Sequence, residues 1–200
     1  PCADCPGIDY HLDLFPDGVF FLRQRYRERE GSFDDIGLWA PASDGSLLSL
    51  HGGREAPLRL ARTSRDELRL LGADGEPVSS DPDHALRARP VFAPIEPRLL
   101  LSGHYRYLAD APLFTECRTG PRMPVALEAD NRALEGAYRQ ARPSPGAPVL
   151  VLLEGRIEIA HRAPGHEPLA VLLAQDHAAA RGHEHAVALG ELVEHGRLAL

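Results

Sequence analysis

Ile8-Asp9-Tyr10-His11-Leu12-Asp13-Leu14 alternates apolar and polar side chains, breaks at Phe15-Pro16-Asp17-Gly18, and resumes as Val19-Phe20-Phe21-Leu22-Arg23-Gln24-Arg25-Tyr26. A period of two belongs to a half-buried strand. Asp-Gly between two such runs is a hairpin signal, because glycine accepts positive φ. The pattern then repeats. Turn chemistry at Ala42-Ser43-Asp44-Gly45, His51-Gly52-Gly53, Ser64-Arg65-Asp66 and Ala73-Asp74-Gly75 separates short strands over 37–39, 46–50, 57–61, 67–71 and 84–89. Breaks at this spacing predict an antiparallel meander of about seven or eight strands. Such a sheet avoids exposed edges by closing on itself, so a small up-and-down barrel is expected. Trp39, Phe20, Leu22, Tyr26, Leu50 and Leu70 are the candidates for its interior. There they either pack as a core or line a lipophilic cavity.

Directly ahead of the hairpin stands Pro1-Cys2-Ala3-Asp4-Cys5-Pro6-Gly7, a Cys-x-x-Cys pair. A thioredoxin-type dithiol needs its first sulfur at a helix N-terminus, where the dipole and free N–H groups stabilise the thiolate. A strand pattern stands here instead, which disfavours a dithiol oxidoreductase. A structural disulfide, a soft-metal dithiolate and a slow redox sensor remain. Two thiolates two residues apart suit copper(I), whereas zinc would need two further ligands at workable spacing. Cys2 and Cys5 are therefore the candidate disulfide and the candidate metal ligands, with copper as the candidate cofactor. Of the three cysteines, Cys117 is left over.

The net charge of −7 argues against nucleic acid as a partner, because phosphate binding needs a concentrated basic surface. Arg23, Arg25, Arg27 and Arg29 would share one face of a strand and read as a solvated outer surface. Met123 is the one methionine, so the chain reads as a processed or partial product. No stretch approaches the ~20 apolar residues of a membrane helix. Six of the ten histidines, His161, His166, His177, His183, His185 and His195, fall toward the end of the chain. They read as loop histidines, with His183-Glu184-His185 a weaker metal signal.

Pro90-Val91-Phe92-Ala93-Pro94-Ile95-Glu96-Pro97 carries three prolines in eight residues and is expected to be extended, which places a domain boundary there. The expected domains are 1–92 and 98–200. The second opens with alternation at Leu101, Gly103, Tyr105 and Tyr107, followed by strands near 113–117 and 122–126. A helix is expected over 130–142, with Leu127, Leu134, Ala137, Tyr138 and Ala141 at helical spacing, Asp130 as cap and Pro143 as stop. Strands over 149–154 and 156–161, split at Gly155, and over 168–173 complete it. The tail from Gln175 is ambiguous, its alanine-rich stretch allowing a short helix. One helix after the third strand matches an OB-type barrel, so the whole chain is predicted mostly β. No hydrolase, phosphate-loop or zinc-protease motif is visible. Asp110, Thr115 and Glu116 read as strand caps and turn residues, with Asp110 satisfying backbone donors. No catalytic residue is assigned.

Three segments together resemble the NlpE family of copper homeostasis and adhesion lipoproteins. They are residues 1–8, matching its Leu-Pro-Cys-Ala-Asp-Cys-x-Gly-Ile opening; residues 103–120, matching its Gly-x-Tyr-x-Tyr-x-Ala-Asp-Ala stretch through Cys-x-Thr-Gly; and the helix near Leu134 and Tyr138 with strand 149–155. The resemblance implies a lipocalin-like N-terminal barrel and an OB-like C-terminal domain. It implies a non-enzymatic lipoprotein of the bacterial outer membrane, facing the periplasm, linked to copper resistance, adhesion and activation of the Cpx envelope stress response. The implied partners are an envelope stress sensor and a lipid anchor ahead of Pro1. Some members pair the cysteine equivalent to Cys117 with one near the C-terminus, and Gly196-Arg197-Leu198-Ala199-Leu200 contains none. A lipocalin-like binder of a small apolar ligand and a periplasmic thiol–disulfide oxidoreductase are the alternative readings.

Overall fold

The computed structural model describes residues 7–28, 30–79, 84–160 and 169–179. The chain forms two compact units, Pro1–Pro97 and Arg98–Leu200. In the first, β1 (Ile8–Leu14), β2 (Val19–Tyr26), β3 (Phe33–Pro41), β4 (Leu47–His51), β5 (Leu58–Ser64), β6 (Glu67–Leu70) and β7 (Ala85–Arg87) succeed one another in a single antiparallel sheet. The meander curls into a nearly closed barrel. Among the described residues no ladder joins β1 to β7.

The hairpin between β1 and β2 turns where Phe15-Pro16-Asp17-Gly18 predicts. The Gly18 N–H donates to the Phe15 carbonyl (3.0 Å), the Phe15 N–H donates to the Val19 carbonyl (2.9 Å), and Gly18 has φ +84°. That left-handed backbone is open to glycine without a Cβ penalty. Trp39 then locks the turn, its ring N–H donating to the Phe15 carbonyl at 2.9 Å and its backbone N–H to the Gly18 carbonyl at 2.7 Å. The ring thereby satisfies its polar end while its body is in the core.

Phe20, Leu22, Leu48, Leu50 and Leu60 are buried in the barrel, with Tyr10, Leu12, Leu14, Trp39, Leu58, Leu68, Leu70 and Leu86 packed against them. Each fully buried side chain of this size contributes about 1.5–3 kcal/mol of transfer free energy. Five of the six residues expected inside are in this cluster. Tyr26 is the exception. It is half-buried near the strand end, edge-on to the exposed Phe33 with ring centroids 5.7 Å apart.

In the second unit, β8 (Arg98–Leu108), β9 (Ala111–Glu116), β10 (Arg122–Pro124), β11 (Val149–Ala160) and β12 (Leu169–Ala179) are ordered β10-β9-β8-β11-β12. The chain just past β10 returns to the far edge. Val125 makes a parallel bridge to Leu172, and the Ala126 N–H donates to the Leu172 carbonyl at 2.8 Å. Antiparallel pairing throughout with one parallel closure between third and fifth strands is the OB arrangement.

The helix α1 (Asn131–Ala141) lies between β10 and β11 and buries Leu134 and Tyr138. Tyr138 meets Tyr105 edge-on at 5.3 Å and donates its hydroxyl to the Ala147 carbonyl at 2.9 Å. Asp130 does not cap through its side chain. Its carbonyl accepts from Ala133 and Leu134, and its N–H donates to the Ala174 carbonyl, which ties the helix start to β12. Arg142 is extended and ends the helix before Pro143, as the pre-proline clash requires.

Three expectations in this unit need correction. Leu127 is 66% exposed and lies outside the helical stripe. Gly155 does not split a strand: β11 runs through it, and only its register with β12 shifts, between Glu154 and Gly155. The extra residue of the bulge is Gln175 on β12, while the ladder from β11 to β8 stays in step through Gly155. Residues 175–179 continue β12 rather than starting a helix, because β11 offers them a full-length partner.

Gly37 pairs with Phe20 across the sheet, and a Cβ placed there would lie 2.0 Å from the His51 carbonyl oxygen. Backbone cannot give way as a side-chain tip can. Gly37→Ala is expected to lower unfolding stability by about 1–3 kcal/mol, read as a lower urea midpoint by Trp39 fluorescence.

Candidate functional site

β1 enters the barrel at the end where β2 finishes and β3 starts. Polar groups cap the apolar interior there. Gln24 is 7% exposed and accepts a hydrogen bond from Arg54 Nη2, Arg54 Nε lies 3.7 Å from Asp35 Oδ2, and the Gly53 N–H donates to Asp35 Oδ1 at 2.8 Å. Just outside, the Gly7 carbonyl accepts from the Arg27 N–H at 3.2 Å, and Arg27 Nε lies 3.0 Å from Asp9 Oδ1. Each of these polar groups has a partner within the rim.

Cys2 and Cys5, the expected thiol pair and copper ligands, lie outside the described residues. The described chain resumes just past them with the strand Ile8–Leu14, antiparallel to β2. Among the described residues no group of three His, Cys, Asp or Glu is placed to hold a metal ion. His161, His166, His183, His185 and His195 are outside the described residues, and only the backbone of His177, within β12, is described.

Cys117 comes directly after β9, with its N–H donating to the Ser102 carbonyl at 3.0 Å and its sulfur 3.6 Å from His104 Nδ1. It is a free, exposed cysteine. Burial around the sulfur pushes the thiol pKa up, and the adjacent Glu116 carboxylate adds to the shift. Glu116 itself is 5% exposed and builds the next turn, its Oε2 accepting from the Arg118 N–H (2.9 Å), the Thr119 N–H (2.6 Å) and the Thr119 hydroxyl (2.7 Å). Thr115 pairs with His104 and Arg122 in the ladder. Asp110 differs from expectation. Ala109 and Asp110 both have positive φ in the two-residue β8–β9 turn, and Asp110 Oδ1 accepts the Tyr107 hydroxyl at 3.0 Å rather than a backbone donor.

The best-built polar cluster is one that strand periodicity alone misses, on the outer face of β1–β3. Register aligns Asp13, Phe21 and Ile36 in one row and His11, Arg23 and Asp34 in the next. Arg23 forks onto Asp34 through Nε and Nη2, both at 2.7 Å, and Nη2 also donates to the Glu96 carbonyl at 3.0 Å. The hydrogen bonds to Asp34 hold the guanidinium pKa above its ordinary value. Asp13, 6% exposed, accepts the Ile95 N–H at 2.8 Å and lies 3.2 Å from His11 Nε2. Phe15 packs edge-on to Phe21 at 4.7 Å and to Phe92 at 5.9 Å. Arg23 is thus half-buried in an ion-paired clamp rather than part of a solvated arginine stripe, while Arg25 is exposed as that reading predicts. The signal that could have found it is the run Phe20-Phe21-Leu22, which breaks the period of two and marks a strand covered on both faces.

Two shallow depressions, around Arg69 with residues 76–79 and around residues 72–74 with 76–78, open to solvent beside the loop after β6. Neither enters the barrel.

Comparison with known proteins gives a consistent result. The family model for the NlpE N-terminal domain matches residues 1–81, and that for the NlpE C-terminal OB domain matches residues 95–185. Lipoprotein NlpE of Escherichia coli (strain K12) is 36% identical over 175 residues, covering 86% of this chain and 71% of that protein. The chain is also similar to the protein in a crystal structure described as the Cpx pathway activator NlpE from Escherichia coli, with 32% identity, 92% of this chain and 93% of that chain covered, and a TM-score of 0.41.

Two measurements check the geometry of these sites. Removing the Arg23 fork takes away a charge partner that the Asp34 carboxylate, 5% exposed, relies on, so Arg23→Ala is expected to cost about 2–3 kcal/mol in denaturant unfolding. With its thiol pKa raised, Cys117 is expected to show a thiolate absorbance midpoint above that of a free cysteine and slower alkylation at neutral pH. These readings are taken in Cys2→Ser/Cys5→Ser so that one thiol reports. A midpoint at or below the ordinary value would show that the covering around the sulfur is not kept in solution.

Proposed function

The chain belongs to the NlpE family, and from that premise we propose that it acts without catalytic turnover, as a lipid-anchored envelope protein on the periplasmic face of the outer membrane. The observation that carries this reading is the match of both domain models, in order along one chain, with 36% identity to a curated lipoprotein over 175 residues. Its work is copper homeostasis, surface adhesion and envelope stress signalling, the last being what the description of the solved Escherichia coli relative names. Its signalling partner is an envelope stress sensor.

Cys2 and Cys5 are the chemical element of this function. Reduced, the two thiolates offer copper(I) the soft donors it prefers. Exposed to an external disulfide, they exchange with it: the Cys2–Cys5 bond forms, and the two external sulfurs leave as thiols. A strand behind the pair provides no thiolate activation, so exchange is slow, which suits a sensor that reports a persistent change better than an enzyme that turns over. The packed interior around Phe20, Leu22, Leu48, Leu50 and Leu60 weighs against a lipocalin-like carrier of apolar ligands.

Titrating copper(I) into the reduced protein and into reduced Cys2→Ser/Cys5→Ser tests the metal role. The double variant is expected to lose one tight equivalent, and equal binding by the two proteins removes the pair as the copper site. An insulin-reduction assay is expected to show no turnover; sustained turnover would replace this reading with the oxidoreductase one.

A further inference from the structure

His104 on β8 and Cys117, one residue past β9, meet on the outer side of the second unit's sheet. In the ladder His104 lies opposite Thr115 and Gly103 opposite Glu116, so Cys117 stands diagonal to His104, on the side away from the buried Tyr105 and Glu116. The Cys117 sulfur is 3.6 Å from His104 Nδ1. Both side chains are exposed, and among the described residues neither atom has another hydrogen-bond partner. Backbone holds the pair in place. The Cys117 N–H donates to the Ser102 carbonyl at 3.0 Å, and the Glu116 carboxylate takes the Arg118 and Thr119 N–H groups, which fixes the chain on both sides of the thiol. Gly103 lets the two strands come this close, since a Cβ there would lie 2.5 Å from the Thr115 carbonyl oxygen and 2.3 Å from Phe114 Cζ.

We propose that Cys117 Sγ and His104 Nδ1 form a two-coordinate site for a soft monovalent d10 cation, copper(I) or silver(I), separate from the Cys2 and Cys5 pair. Distance, donor type, donor number and charge all point the same way. With a metal–sulfur bond of about 2.3 Å and a metal–nitrogen bond of about 2.0–2.1 Å, one ion reaches both atoms across 3.6 Å at an angle of roughly 110°. A swing of the exposed imidazole opens that angle toward linear. A thiolate beside an imidazole selects soft metals over magnesium or calcium. Among the described residues no group of three His, Cys, Asp or Glu is placed to hold an ion, whereas a closed zinc site takes four ligands. Two donors complete the shell of a linear d10 cation. Arg106 and Arg122 are exposed on the same face, Arg106 two residues along β8 and Arg122 across Thr115. A dication on one thiolate would keep a net positive charge beside them, while a monovalent ion gives a neutral complex. On binding, the thiol releases its proton to solvent, and sulfur and Nδ1 each donate a lone pair, the ring keeping its proton on Nε2. No electron is transferred. The site lies in a different unit from Cys2 and Cys5, so it holds or fails independently of the copper role proposed for them.

The experiment uses the full chain as reduced Cys2→Ser/Cys5→Ser, in which Cys117 is the one thiol left. Copper(I) is titrated against a chromophoric copper(I) chelator, and silver(I) and zinc(II) are titrated in parallel. One equivalent of copper(I) is expected to bind, with a thiolate-to-copper ultraviolet band, release of one proton and a shift of the His104 ring signals in the NMR spectrum. That ring shift is read with His104 in place, so it tests the nitrogen ligand without relying on a variant that folds. Cys117→Ser is expected to remove the equivalent, and His104→Ala to weaken it at least about tenfold. His51→Ala, at the end of β4 in the first unit, is expected to change nothing. Silver(I) is expected to compete for the site and zinc(II) not to displace copper(I). The near-ultraviolet signal of the buried Tyr105 and Tyr138 reports that the second unit is folded in each variant. Any of three results in folded protein would overturn the site: no bound equivalent, an affinity and ring spectrum indifferent to His104, or an equivalent that survives Cys117→Ser and is lost in His183→Ala/His185→Ala.

Discussion

β2 is buried on both faces at once, and the first unit is arranged around that fact. Phe20 and Leu22 face the barrel interior while Phe21, fully buried, faces outward. An antiparallel strand can leave its outer face to water, but Phe21 with Phe15 and Ile36 makes an apolar patch that favours a cover. The cover is a proline-rich stretch, which has few N–H groups and cannot extend a sheet. Its remaining backbone donors and acceptors need partners once they leave water. Asp13 and Arg23 provide them, and Asp34 in turn neutralises Arg23. The polar clamp is therefore a consequence of the apolar patch: burying Phe21 requires the segment, and burying the segment requires the clamp.

Much of this architecture is legible in the sequence alone. The hairpin at Phe15-Pro16-Asp17-Gly18, the interior role of Phe20, Leu22, Trp39, Leu50 and Leu70, and the helix around Leu134 and Tyr138 all rest on local rules of periodicity and turn chemistry. The structure obeys those rules. The features that escape them depend on partners far along the chain. Whether Arg23 faces water or Asp34 depends on the β2–β3 register, and whether Asp13 is exposed depends on Ile95, 82 positions away. Gly155 reads locally as a break, yet long ladders on both sides carry β11 through it. Asp110 shows the same lesson at small scale, since its acceptor role is foreseeable but its donor is a tyrosine three residues back rather than backbone.

The second unit places its polar residues differently. Glu116 spends its carboxylate on three donors of one turn, and Tyr105 and Tyr138 direct their hydroxyls to Asn131 and to the Ala147 carbonyl within the core. Burial raises the Tyr105 pKa well above the usual tyrosine range, so it stays a neutral donor. That pattern fits a domain whose polar interior specifies one packing arrangement.

β1 is the element on which the remaining chemistry converges. Its N-terminal end continues directly from the Cys-x-x-Cys segment, its inward side chains Tyr10, Leu12 and Leu14 pack on the barrel core, and its outward Asp13 holds the proline-rich cover. Among the described residues its only sheet neighbour is β2. An edge strand held by one ladder is more easily displaced than a central one, so side-chain contacts on its two faces carry a larger share of its hold. The Asp13 contact and the Leu12 and Leu14 packing thus stabilise the same strand from opposite sides. Loosening the cover therefore weakens the seat of the strand that follows the Cys-x-x-Cys segment in sequence.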